Sequence, residues 1–318
     1  TNVFAQRNLA DSSINSETSN PTASNPTALV AISAGVAVGT FAQSSNAYIG
    51  PSTTINAYNV GVSASTEVPI SNTWTQWAGF GEVLSHLNGN LGVVNNILSS
   101  YANATGSSEN FSLSGSFDYY ALDTKTTAWV GSGSSITTVL NTTPSWTLNL
   151  YNGNQASFVE GLDIHAMSDL ASVTVAGNIT PLLGGTGSDT GAAVGGSLTL
   201  MKSSTSTIAG IGDNAVISVA ANAAVNVTAD THDTVFTVAP SSGKAATTGL
   251  SGIASAVQID NTTHASISDS AEVTGSSVNI SATQELSLMS VSAAVTVSRG
   301  SAVGLSVAAL VANTDTAA

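Results

Sequence analysis

Chemistry in this chain would have to come from carboxylates and imidazoles. The 318 residues contain no cysteine, 4 histidines, 19 aspartates plus glutamates and 5 lysines plus arginines. His86, His165, His232 and His264 lack metal-type spacing to one another, so no metal site is expected. His232-Asp233 is the one adjacent His-Asp step, and it reads as a solvated turn where a later copy of the repeat has Gln284-Glu285. Glycoside hydrolysis needs two carboxyl groups held about 5 to 9.5 Å apart. Here the carboxylates are scattered, with nothing closer than pairs such as Asp163 and Asp169. Lyase chemistry needs a base beside a cation, yet Arg7, Lys125, Lys202, Lys244 and Arg299 stand singly. No catalytic residue and no cofactor follow from these patterns, and an enzyme is disfavoured.

The background carrying these groups is equally restrictive. Hydrophobic residues make up 42% of the chain and charged residues only 8%, against a usual share of about a quarter. A net charge of -14 repels phosphate, which argues against nucleic-acid partners. No apolar run reaches the roughly 20 residues a membrane-spanning helix requires, so no span is expected. The chain opens at Thr1 without a signal peptide, as a processed or excised piece would.

Self-similarity is the strongest signal. Ala47-Tyr-Ile-Gly-Pro, Ala128-Trp-Val-Gly-Ser, Ala209-Gly-Ile-Gly-Asp and Ala265-Ser-Ile-Ser-Asp are four copies of one phrase, spaced by 81, 81 and 56 residues. A second alternating phrase follows each: Val60-Val62-Ala64, Trp146-Leu148-Leu150, Val225-Val227-Ala229 and Val278-Ile280-Ala282. Pro51, Ser132, Asp213 and Asp269 occupy one point of the phrase, and each suits a short bend. Glycine-led strands start at Gly115, Gly196, Gly252 and Gly304.

Period-2 alternation of Ala, Val, Ile and Leu with Ser, Asn and Thr predicts half-buried strands. Leu286-Leu288, Val295-Val297 and Val303-Leu305-Val307 continue that alternation, with the small aliphatic residues read as a narrow interior. Turns rather than helices separate the strands, and a fixed repeat favours stacking along an axis. The fold expected is all-β, a right-handed parallel β-helix over residues 28–318, each unit supplying two or three coils. An antiparallel sandwich is the rival. Residues 1–27 form a polar N-terminal extension, and Asn313-Thr314-Asp315-Thr316-Ala317 repeats the lead-in Asn261-Thr262-Thr263-His264-Ala265. That match implies an open C-terminal end, inviting self-association or a longer parent chain.

The longer first two copies carry insertions, placed at the same point of the unit. The first, about 71–104, holds Trp74, Trp77, Phe80, Leu84, Leu87, Leu91, Val94, Leu98 and Tyr101 at three-and-four spacing, which predicts a mainly helical insertion. It packs on the flank of the solenoid, or else offers Trp74, Trp77, Phe80 and Tyr101 as a partner surface. The second, about 151–191, ends in Gly184-Gly185-Thr186-Gly187-Ser188-Asp189, residues 184–189, which resembles the start of the calcium-binding nonapeptide of repeat-in-toxin proteins. It occurs once, and such sites need successive turns, so an ordinary glycine-rich loop is the reading retained.

From about Ile208 to Ala318 the phrases Ala-x-Ile-x-Asp-x-Ala, Val278-Asn-Ile-Ser-Ala and Ala302-Val-Gly-Leu-Ser-Val-Ala-Ala resemble the repeats of large bacterial surface adhesins of the filamentous-haemagglutinin and autotransporter kind. The resemblance implies an extracellular or cell-surface structural protein, an elongated stalk or self-assembling fibre subunit for attachment or cell-cell contact, with a surface receptor or glycan as partner. It carries over no site residue. The alternative is a β-helix polysaccharide-degrading enzyme or phage-tail-type depolymerase.

Overall fold

The computed structural model describes residues 30–67, 98–102, 107–108, 110–139, 145–149, 155–159, 161–176, 186–188 and 191–318. Among these every regular element is a strand. The first turn of chain runs through β1 (Val30–Ile49), β2 (Thr54–Ala57) and β3 (Val60–Glu67), with β4 (Leu98–Ala102) and β5 (Ser107–Ser108) extending the line of β3. The second contains β6 (Phe111–Val130), β7 (Ser135–Thr138), β8 (Ser145–Asn149), β9 (Gln155–Val159), β10 (Gly161–Ala176) and β11 (Thr186–Ser188). The third is β12 (Ala192–Ile211), β13 (Val216–Ser218) and β14 (Ala224–Ala245), the fourth β15 (Thr248–Ile267), β16 (Glu272–Thr274) and β17 (Ser277–Ser298). β18 (Ser301–Ala317) adds a fifth rung to the first sheet.

Three parallel sheets result. The first has the order β1-β6-β12-β15-β18, and the short third sheet has the order β16-β13-β7-β2. The second stacks β3, β10, β14 and β17, with β4, β5 and β11 filling its far half. The hairpin β8-β9 is antiparallel. This topology is consistent with a parallel β-helix. Each repeat supplies one strand line to each sheet, so a repeat is a single wide coil rather than two or three narrow ones. The register vindicates the first phrase: Ala47 pairs with Ala128, Ala128 with Ala209, and Ala209 with Ala265.

Each twenty-residue strand spans about 66 Å, which gives the coil two unlike limbs. In the broad limb all three sheets enclose aliphatic residues. Val130, Ile136, Ile164, Ile211, Ile217 and Val227 are fully buried there, and like stacks on like from rung to rung. In the narrow limb only the first and second sheets face each other. They are joined at the tip by turns at Ala246–Thr247 and Arg299–Gly300 and linked across the interior by Ser251 Oγ and Thr296 Oγ1 at 2.7 Å. Next to the broad limb the narrow interior holds a second apolar cluster, with Tyr120, Leu122, Leu170, Met201, Val257 and Ile259 buried. Toward the tip it is lined mostly by small polar residues, including the buried Ser112, Ser114, Ser116, Ser197, Thr199 and Ser255.

The broad limb's first corner repeats a single device. Ser52, Gly133, Asn214 and Ser270 have φ of 55°, 68°, 56° and 59°, the only positive value in each bend. Pro51 precedes the first, which is the type II turn pattern. The N–H of Ser52 donates to Ser132 O, that of Gly133 to Asp213 O and that of Asn214 to Asp269 O, at 2.9, 2.8 and 3.3 Å. The ladder therefore continues through the corner, and the bend residues expected from sequence have a backbone task. Gly131 is required: a Cβ there would lie 2.6 Å from Pro51 N.

Between the limbs lies a hydroxyl layer. Thr126 Oγ1 donates to Thr66 Oγ1, Thr231 to Thr207 and Thr263 to Thr231, each at 2.8 Å. Burial of these groups is tolerated because they satisfy one another.

Several sequence-based expectations need correction. Leu162-Ile164-Ala166 of β10, and not Trp146-Leu148-Leu150, stands in register with Val60-Val62-Ala64 and Val225-Val227-Ala229. Trp146 and Leu148 pair with Phe158 and Ala156 in the hairpin, whose alternation has the same period as a ladder strand. The second insertion therefore begins ahead of residue 151: most of its extra chain lies between β7 and β10, at a corner, and a shorter stretch lies between β10 and β12. The first leaves the second sheet at Glu67, opposite Asp169, and re-enters at Leu98, opposite Ser172. The first insertion and the main part of the second occupy different points of the coil.

The helical insertion also changes. Leu98 and Tyr101 are in strand β4, paired with Ser172 and Val175, because the free edge of β10 offers ladder bonds that outweigh a three-and-four pattern. Residues 71–97, and the extension 1–27, lie outside the described residues. Finally, Val303, Leu305 and Val307 face outward, exposed by 56%, 64% and 53%, instead of lining the interior.

Candidate functional site

One cluster of the described titratable groups lies on the outer face of the second sheet; a separate pair, His264 Nε2 and Asp315 Oδ2 at 3.0 Å, lies on the first. Alternation turns the even positions of β14 and the odd positions of β10 outward, since the intervening Leu162, Ile164, Val225 and Val227 are buried. Register then sets Glu67, Asp169, His232 and Glu285 side by side across four rungs. Nearer the corner, His165 Nε2 lies 3.0 Å from Asp230 Oδ2.

The carboxylates differ in their surroundings. Burial alone would raise the Asp230 carboxyl, but hydrogen bonds from His165 and Thr283 and the charge of His232 outweigh it and hold it below the usual range. Partial burial raises Asp169, with His232 pulling the other way. An imidazole oriented by a carboxylate is half of a proton-transfer device. Ser63, Thr228 and Ser281 share the row of His165 by register. No group of three or more His, Asp or Glu side chains among the described residues has the geometry to hold a metal.

Asp233 lies on the opposite face from His232. It pairs with Leu286, whereas His232 pairs with Glu285, so the alignment of His232-Asp233 with Gln284-Glu285 is one residue out and the step is mid-strand, not a solvated turn. Asp233 is 2% exposed and accepts hydrogen bonds at Oδ2 from Asn261 Nδ2 at 2.8 Å and Thr205 Oγ1 at 3.1 Å. Desolvation pushes its carboxyl up to about 6; those two bonds oppose the rise, and the charge of Asp169 adds to it.

Of the partner-surface residues read from sequence, Trp74, Trp77 and Phe80 lie outside the described residues, and Tyr101 is on β4. Thr186–Ser188 of the calcium-type motif form β11, a rung between Ser107–Ser108 and Gly243–Ala245; Gly184, Gly185 and Asp189 lie outside the described residues. Sequence reasoning missed the row containing Asp169 and His232. The alternation of Leu162-Ile164-Ala166, laid against Val225-Val227-Ala229, is the signal that exposes it.

No protein-family model, no curated protein and no solved structure matches this chain.

Proposed function

We propose that the chain is a structural and adhesive segment of an exported surface protein: a right-handed parallel β-helix that acts as a stalk or fibre subunit in attachment or cell-cell contact. The observation that carries this reading is the shared register of five successive strands in the first sheet, each aligned residue for residue with its neighbour. A fold assembled by repeating one rung supports extension along an axis. The right hand follows the strong preference of crossovers between parallel strands of one sheet. The low charge content and the aliphatic and hydroxyl columns suit a scaffold, and the resemblance to adhesin repeats supports the same assignment.

The outer edge of β18 has no ladder partner among the described residues, a geometry that accepts a further rung. The remaining partner class is a receptor or glycan on another surface. Antibody labelling of intact producing cells tests the reading. Labelling without permeabilisation is expected, and signal only after permeabilisation would overturn it.

A further inference from the structure

Toward the tip of the narrow limb the outer face of the first sheet is apolar where the inner face is mostly hydroxylic. Leu113, Val194 and Leu250 form one outward column across three rungs, and Phe117, Leu198 and Ala254 form another. Between them stand Gly115, Gly196 and Gly252, aligned in register. A Cβ at Gly115 or Gly252 would meet nothing within 4 Å, and one at Gly196 only Gly252 O at 3.8 Å. The glycines therefore form a trough three rungs long between two apolar ridges, closed at the β18 end by Leu305, which pairs with Gly252. Gly304 is not part of it; it pairs with Ser251, one position away, on the inner face.

The outward columns from the tip to the Val38–Tyr119–Leu200 column contain no charged residue, and the first charges appear at Lys202 and Asp123. Ile32 at the β1 end is 71% exposed, and Leu305 at the β18 end 64%. Five rungs and about ten residues of strand make a patch of roughly 700 Å², larger than most monomers expose. It is close to the roughly 800 Å² each partner contributes to a standard interface.

We infer that this face docks against the same face of a second copy of the chain, ridge into trough, across a two-fold axis. A ridge beside a trough is self-complementary, as an isologous contact requires, and aligned sheets pack in this way about 10 Å apart. Charge selects the same face. Two chains of net charge -14 repel each other, and this uncharged area lets them meet with their carboxylates farthest apart. The contact is face to face and separate from any edge-to-edge growth at β18.

Sedimentation equilibrium of the full chain, over about 1 to 100 μM, tests the inference. A reversible species of twice 31.5 kDa is expected. Leu198→Lys on a ridge should weaken it at least tenfold. So should Gly115→Val combined with Gly252→Val, whose Cβ atoms meet nothing within 4 Å and which is expected to leave the circular dichroism spectrum and thermal midpoint of the monomer unchanged. The glycine pair decides the matter if the lysine variant fails to fold. A monomer throughout the range overturns the inference, as does a dimer that neither variant weakens, which would place association at a sheet edge. Flotation of a monomer with phosphatidylcholine vesicles would assign the face to lipid and overturn it equally.

Discussion

The broad limb hides its aliphatic side chains and the tip of the narrow limb, beyond the buried cluster of Leu122, Met201, Val257 and Ile259, displays them, although both are made from the same unbroken strands. In β12, Ala209 and Ile211 are buried, whereas ten residues earlier the outward positions are Val194, Leu198 and Leu200 and the buried ones Ser197 and Thr199. A strand has one pleat, so its phase is set once along its whole length. The difference between the limbs shows that the three-sheet core fixes the phase for the entire strand. The narrow limb then inherits an orientation that its own composition would not select.

The largest test of this contrast is truncation in the two limbs. Ile136→Ala, at a fully buried position of the broad core, should cost about 3 to 4 kcal/mol in urea unfolding. Leu198→Ala, on the narrow limb's outer face, should cost well under about 1 kcal/mol in dilute, monomeric protein. Equal losses would erase the distinction.

Asp233, at the junction, comes next. Its carboxyl is raised in the folded state to about 6 from 3.8, so between those values the folded chain keeps a proton that the unfolded chain has released. Stability therefore falls as pH rises from about 4 through about 6, by up to roughly 3 kcal/mol. Asp233→Asn should remove that fall, matching the parent near pH 4 and exceeding it at pH 7.5 in urea midpoint. A parallel pair of pH profiles would show that the buried carboxyl is not the cause.

Thr231→Val removes the hydroxyl shared by Thr207 and Thr263 and should cost about 2 kcal/mol, because it leaves buried partners unsatisfied. A smaller effect is expected at the corner. Asn214→Ala, at φ 56°, should cost about 1 kcal/mol, and Asn214→Gly should be neutral within a few tenths.

Much of the scaffold is readable from sequence. The Ala47–Ala128–Ala209–Ala265 column and the bend after it follow from the repeated phrase, because small inward residues and turn formers must recur wherever rungs stack. The second phrase is legible in three copies and misread in the one with the hairpin, since spacing records a strand but not its ladder partner. Direction is also hidden: Val303-Leu305-Val307 alternates as a core strand would, yet it faces out because its phase is decided by residues farther along the same ladder. The Asp169–His232 row depends on correct register between β10 and β14, so one misassigned strand conceals it. Tyr101 shows the same limit, a helical spacing overridden by an available edge.

Unequal rungs also give the molecule a mechanical fingerprint. Register places the starts of β6, β12, β15 and β18 at residues 111, 192, 248 and 301, so the rungs between them contain 81, 56 and 53 residues. Peeled one at a time from the β18 side, they release roughly 19, then 20, then 29 nm of contour at about 3.6 Å per residue. The order of those extensions in a force trace reads out the order of the coils.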